Sequence, residues 1–200
     1  MTRLTKFMLS APVLLLTSML ALSSILSGCA AVVGAGATVG VAAVQERGLK
    51  GRVSDLEIEA QVLEKFVKAG FKLTSTIGAE VYEGRVLLTG ASTETKITDQ
   101  AVKLVWEVDG VKAVLNEIQV GKNSGISDIA QDSWITAQVK SKMTFDGDIF
   151  SINYVVETVN GTVYLIGIAQ NEAEHKRAKQ HAASVKFVRN VISHVRVKNY

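Results

Sequence analysis

Two short stretches of the chain share one alternation of apolar and other positions. Gly84-Arg85-Val86-Leu87-Leu88-Thr89-Gly90 recurs 77 residues later as Gly161-Thr162-Val163-Tyr164-Leu165-Ile166-Gly167. In each, a valine and a leucine two apart give the period of a half-buried strand. Glu83-Gly84 and Asn160-Gly161 precede them as turn signals, and Asn-Gly is the stronger of the two. Each copy therefore reads as a hairpin tip followed by a strand that ends at a glycine. The offset holds without a gap from Asp55/Asp132 to Val120/Val197, with about fifteen identities along it, which marks a tandem repeat.

Helical periods flank the strands. In the first copy Ile58, Val62 and Phe66 recur four apart, with Ser54-Asp55 and Glu57 as a predicted start and Gly70 as the end. A strand is expected around Leu73 to Tyr82, then the strand Arg85 to Thr89. Thr93-Glu94 opens a second helix with Ala101, Leu104, Val105 and Val108 inward, and Asp109-Gly110 stops it. Val114, Ile118 and Val120 lie on a last strand. After a linker from Gly121 to Gly125, the second copy repeats the order. Its first helix carries Ile135, Val139 and Met143 and is expected to start at Asp132-Ser133, whose side chains would cap it and leave Trp134 in the opening turn. Strands near Ile152–Val159 and Thr162–Ile168 follow, then a helix from Glu172 to Val185 and a closing segment from Phe187 to Val197. The order α-β-β-α-β, twice, predicts an α+β chain of two small domains at 54–121 and 127–200. Each is expected to be a three-stranded mixed sheet with two helices on one face.

The N-terminal part has a different texture. Arg3 and Lys6 precede an apolar run from Phe7 to Leu26, which closes on Leu26-Ser27-Gly28-Cys29. That ending looks like a lipobox, so residues 1–28 read as a signal peptide and Cys29 as the acylated (palmitate-bearing) first residue of the mature chain. An uncleaved transmembrane anchor is the alternative, since the run is long enough. Ala30 follows the cysteine. By resemblance to lipoprotein sorting signals, this points to the outer membrane, periplasmic face, with durable anchoring by several acyl chains. Residues 29–53 read as a lipidated, flexible tether: Gly/Ala/Val-rich to Val44, polar from Gln45 to Arg52.

Composition adds limits. The net charge of +3 is too small to imply nucleic acid. With one cysteine, no intramolecular disulfide forms. From Val53 to Gly125 there are eight Lys/Arg against eleven Asp/Glu; from Ile126 to Tyr200 there are nine against seven. Lys176, Arg177, Lys179, Lys186 and Arg189 make the second copy the more basic, either as a surface for anionic lipid or as an ordinary solvated face. Trp134 falls about 140° from the centre of the core stripe at 100° per residue. Glu57 stands at its place in the first copy. A tryptophan on a polar helix face fits an anchor at headgroup level; burial against the other repeat or the tether is the alternative.

Gly-x-Val-x-Leu-x-Gly, then a helix, then Gly110-Val111-Lys112-Ala113-Val114-Leu115-Asn116-x-Ile118-x-Val120 resembles the BON-domain family. Two BON-like domains behind a lipobox resemble the dual-BON outer-membrane lipoproteins. The resemblance implies a non-enzymatic periplasmic module associated with phospholipid binding and envelope integrity. Phe187 departs from it, because the family usually has glycine there. The expected partner is anionic phospholipid of the inner leaflet of the outer membrane, held by Trp134, Ile135, Gln138, Lys140, Lys142, Phe145 and Phe150. The rivals are an adaptor docking on an envelope protein complex and a binder of a cell-wall fragment. No catalytic set, cofactor or metal site is expected. His175 and His181 are six apart, too far to stack on one helix face as ligands. Glu172, Glu174 and His175 read as solvent-exposed, and Asp146-Gly147-Asp148 as a turn.

Overall fold

A computed structural model describes residues 44–122 and 124–198. The signal segment, Cys29 and the tether up to residue 43 lie outside the described residues. The first repeat comprises α1 (Gly48–Ala69), α2 (Phe71–Thr76), β1 (Ile77–Tyr82), β2 (Arg85–Ser92), α3 (Thr95–Trp106), β3 (Ala113–Asn116) and β4 (Gln119–Val120). The second comprises α4 (Ile126–Thr144), a 3-10 turn (Ser151–Asn153), β5 (Tyr154–Val159), β6 (Thr162–Ala169), α5 (Glu172–Ala183) and β7 (Asn190–Val197). In each repeat the central strand pairs antiparallel with the one before it. It pairs parallel with the closing strand, split into β3 and β4 in the first repeat and continuous as β7 in the second. The expected mixed sheet with a pair of long helices on one face is present twice.

Local chemistry explains the shared frame. Glu83 and Gly84 both have positive φ (54° and 77°), as do Asn160 and Gly161 (48° and 72°). Two consecutive left-handed residues make the tight turn whose twist matches a hairpin. Gly90 and Gly167 occupy matching places at the far end of the central strands. A Cβ at either would overlap the carbonyl oxygen of Thr76 or Asn153 on the neighbouring chain segment, so glycine is required there.

Each helix pair covers one sheet face. Ile58, Val62, Phe66, Ile97, Ala101 and Val105 pack on Val81, Val86 and Leu88; Ile135, Val139, Met143, Ala178 and Ala182 pack on Val156, Val163 and Leu165. The opposite faces are not solvated. Tyr82 and Leu87 of the first sheet form a third cluster with Tyr164, Ile166 and Ile168 of the second. The expectation of half-buried strands is therefore corrected: β2 and β6 are buried on both faces, and the repeats stack sheet against sheet within one compact unit. Polar contacts surround this layer. Arg85 donates to the carbonyls of His194 (2.7 Å) and Gly167 (3.2 Å), and Gln119 donates to the carbonyl of Val159 (3.0 Å).

Two element boundaries differ from expectation here. Phe71–Thr76 is a helical turn, not strand, with Leu73 its buried residue. The helix α1 starts at Gly48, so Gly48 to Val53, assigned above to the tether, are folded. Just before it, the Gln45 side chain donates to the Ile152 carbonyl (2.7 Å) and the Glu46 N–H donates to Asn153 (2.9 Å), tying this stretch to the second repeat. Arg47 seals the junction. Its guanidinium meets the buried Asp55 carboxylate at 2.7 Å, donates to the Val81 carbonyl and lies 4.5 Å over the Tyr82 ring.

Candidate functional site

Helix α4 begins at Ile126 after the N-cap residue Gly125, whose N–H is accepted by the Asp128 carboxylate at 2.9 Å. The expected start at Asp132-Ser133 is thus corrected. Asp132 spends its oxygens elsewhere, accepting from the N–H of Asn160 (2.6 Å) and Gly161 (2.8 Å). Asp55 does the same for Glu83 and Gly84, both at 2.8 Å. Each aspartate thus fastens a helix to a hairpin tip. The signal for this was present, because Asp55 and Asp132 lie one turn before Ile58 and Ile135 on the buried face. Ser133 donates to the Ile129 carbonyl (2.9 Å). Trp134 consequently sits in the body of α4, not at its tip.

Trp134 is 43% exposed. Its ring packs edge-on against Phe187, centroids 5.9 Å apart at 67°. Phe187 is itself 48% exposed, and the Lys186 ammonium lies 4.6 Å from the centre of its ring. Phe187 also holds φ 70°, a conformation that costs a bulky residue about 1–3 kcal/mol. The residue at its place in the first repeat is Gly110, with φ 88°. An aromatic residue thus stands where the fold asks for glycine, beside a tryptophan where the first repeat has glutamate. Phe187 and Lys186 were missed as site residues, although the departure from glycine was visible in the sequence.

The other expected residues divide. Gln138, Lys142 and Phe145 share the Trp134 flank, within about 80° of it around the helix. Lys142 and Phe145 are exposed and Gln138 is half-buried. Ile135 is fully buried among the core side chains, so its assignment to the site is corrected. Lys140 points about 120° away from Trp134. It lines a groove of about 670 Å³ between the repeats, together with Glu157, Thr89 and Ser75, so it does not act beside Trp134. Phe150 is 56% exposed at the end of the loop that follows α4.

That loop is pinned, not free. Asp146 accepts from the Asp148 N–H (3.0 Å) and pairs with His181 Nε2 (2.6 Å), and Arg177 meets Asp148 at 2.9 Å. The hydrogen bond to His181 leads the causes that hold the Asp146 carboxyl below its ordinary range. Glu174, expected in solvent, is 3% exposed. It accepts from the N–H of Phe150 (3.0 Å) and Gln170 (2.7 Å) and from the Tyr154 hydroxyl (3.2 Å). Burial, with Glu174 beside it, pushes the Tyr154 phenol up. His175 is likewise engaged, 2.9 Å from the Ser193 hydroxyl. Lys176, Lys179, Lys186 and Arg189 remain exposed, giving this end of the second repeat a basic rim. Among the described residues no helix is long and apolar enough to cross a membrane, and no cluster of metal-ligating side chains occurs.

Comparison with known proteins gives consistent matches. The BON domain matches residues 54–122 and 131–199. An uncharacterised protein from the gshII 5′ region of Anaplasma centrale is 40% identical over 144 residues, 70% of this chain and 95% of that one. The outer membrane lipoprotein DolP of Haemophilus influenzae is 35% identical over 152 residues, 75% of this chain and 78% of that one. A 21 kDa hemolysin of Actinobacillus pleuropneumoniae is 33% identical over 158 residues, 78% and 79% of the two chains.

Proposed function

The chain belongs to the BON-domain family, with two BON domains in tandem, and we propose that it is an outer-membrane lipoprotein whose second domain binds anionic phospholipid. Cys29 carries the anchor in this reading, on the strength of the lipobox, and the similarity to an outer membrane lipoprotein supports the location. Its role is that of a binding protein supporting envelope integrity, not of an enzyme. One observation carries the lipid reading: Trp134 and Phe187 form an exposed aromatic pair at two positions where the first repeat has Glu57 and Gly110. The fold needs neither ring, so both are available for an external partner. Lys186, Lys142 and the basic rim add attraction for anionic headgroups, about 1 kcal/mol for each cation near the surface. Because Trp134 lies mid-helix, α4 approaches the bilayer on its side, with Phe145 at its C-terminal end.

Co-sedimentation of the unlipidated protein with phosphatidylglycerol vesicles tests this. Trp134→Glu, which copies the first repeat, is expected to remove most binding while leaving the circular dichroism of the fold unchanged and lowering its stability only by the lost contact with Phe187, about 0.5–1.5 kcal/mol, since Ile135, Val139 and Met143 are untouched. Wild-type binding should weaken as salt rises, because exposed charges are screened over about 10 Å at 0.1 M. If Trp134→Glu sediments as wild type does, the aromatic pair is not the anchor, and docking on an envelope protein becomes the better reading.

A further inference from the structure

Helix α1 has a second apolar face. Asp55, Ile58, Val62 and Phe66 turn into the core. Roughly 135° round the helix, Leu49, Val53, Leu56, Ala60, Leu63 and Val67 run alternately four and three apart, and all six are exposed. The five larger ones are 45–59% accessible. This is a heptad seam with leucine at one core position and valine or alanine at the other, the spacing by which two helices interlock. The second repeat supplies a control. The corresponding positions of α4 are Ile126, Ala130, Ser133, Ala137, Lys140 and Thr144, which form no such seam. The BON fold therefore does not require it.

We propose that this seam is a homodimer interface, in which α1 packs antiparallel on α1 of a second copy. The pairing is self-complementary. Val53 meets Leu63 of the second copy, Ala60 meets Leu56, and Val67 meets Leu49; the two-fold axis repeats each contact. Alanine opposite leucine near the axis lets the helices approach closely. Packing favours the antiparallel sense, because a parallel pair sets Ala60 against Ala60 and leaves a gap on the seam. Lys50 comes beside Glu64 of the second copy at both ends of the seam, offsetting Glu57 and Glu59, each of which meets its own counterpart near the axis. A parallel pair brings Arg52 to Glu57 but sets Glu59 against Glu64. The same carboxylates argue against a bilayer as the occupant. The seam is narrow and its flanks mix Glu57, Glu59 and Glu64 with Lys50 and Arg52, whereas a helix lying in an anionic surface carries a broad apolar face with predominantly basic flanks. This inference is independent of the lipid site, which lies on the second repeat.

Sedimentation of the mature, lipidated protein in mild detergent tests it. Wild type is expected at twice the chain mass, and Leu56→Glu and Leu63→Gln each at the single-chain mass with unchanged circular dichroism. Cross-linking in membranes tests the orientation. A short bis-maleimide should join Lys50→Cys chains to co-expressed Glu64→Cys chains and should not join Lys50→Cys chains to one another. A wild type that sediments as a single chain, or both variants remaining dimeric, overturns the proposal. So does linkage of Lys50→Cys to itself in place of Glu64→Cys.

Discussion

Phe187 shows how one residue can separate function from fold. Its backbone holds φ 70°, and Gly110 adopts the same region in the first repeat without a side chain to strain. Replacing Phe187 by glycine relieves that strain, about 1–3 kcal/mol. It also removes an aromatic contact with Trp134, of about 0.5–1.5 kcal/mol. The two effects nearly cancel or favour the variant. Phe187→Gly is therefore expected to unfold in urea at the wild-type midpoint or above it, while its binding to anionic vesicles falls several-fold. A large loss of stability with binding intact would mean that the ring serves the fold alone.

At the scale of elements, the aspartates that tie helix to hairpin are the features most easily misread. Asp132 has the residue type and position of a helix cap, and a sequence does not show that its acceptors are taken by Asn160 and Gly161. Asp132→Ala leaves two turn N–H groups without that carboxylate. It is expected to cost about 2–4 kcal/mol by chemical denaturation, in line with hydrogen bonds to a charged, buried group; a cost under about 1 kcal/mol would show that the turn forms unaided. The strands were legible because glycines and alternating Val/Leu positions repeat at a fixed offset. The core stripes of α1 and α4 were legible from four-residue spacing. Helix starts were not, because the N-cap residues Arg47 and Gly125 supply no side-chain cap. Glu174 was hidden because a charged helix reads as solvated, and two of its three donors come from residues 150 and 154, remote in sequence. Of the candidate site, Trp134 was legible by its contrast with Glu57. Lys140 is near Trp134 in sequence but on a different face of the helix, which six residues of spacing do not reveal without the helical period.

The described residues form a pair of sheets packed back to back, with Leu87, Tyr164 and Ile166 filling the face that a single-layer domain would leave to solvent. The same stacking half-buries a matched pair of carboxyls, Glu80 and Glu157, which stand at equivalent places in the two repeats. Burial pushes the Glu80 carboxyl from 4.5 up to about 7, with the charges of Glu157 and Glu59 adding to the effect, and burial raises Glu157 as well. The folded state therefore keeps a proton that the unfolded chain releases across this window. That contribution to stability is present below pH 4.5 and is lost as pH rises to about 7. Glu80→Gln is expected to be more stable than wild type at pH 8, by on the order of 1–3 kcal/mol, with the difference shrinking towards pH 5; an equal advantage at both values would contradict this. The orientation of this assembly on a bilayer is what the lipid reading finally depends on. The chain has two tryptophans, Trp106 and Trp134, so a Trp106→Phe variant reports on Trp134 alone. Its fluorescence should shift to the blue and be quenched by brominated acyl chains in phosphatidylglycerol vesicles, and stay unchanged with phosphatidylcholine vesicles. Binding to the anionic vesicles with Trp134 unshifted and unquenched would place the ring away from the lipid and contradict the proposed function.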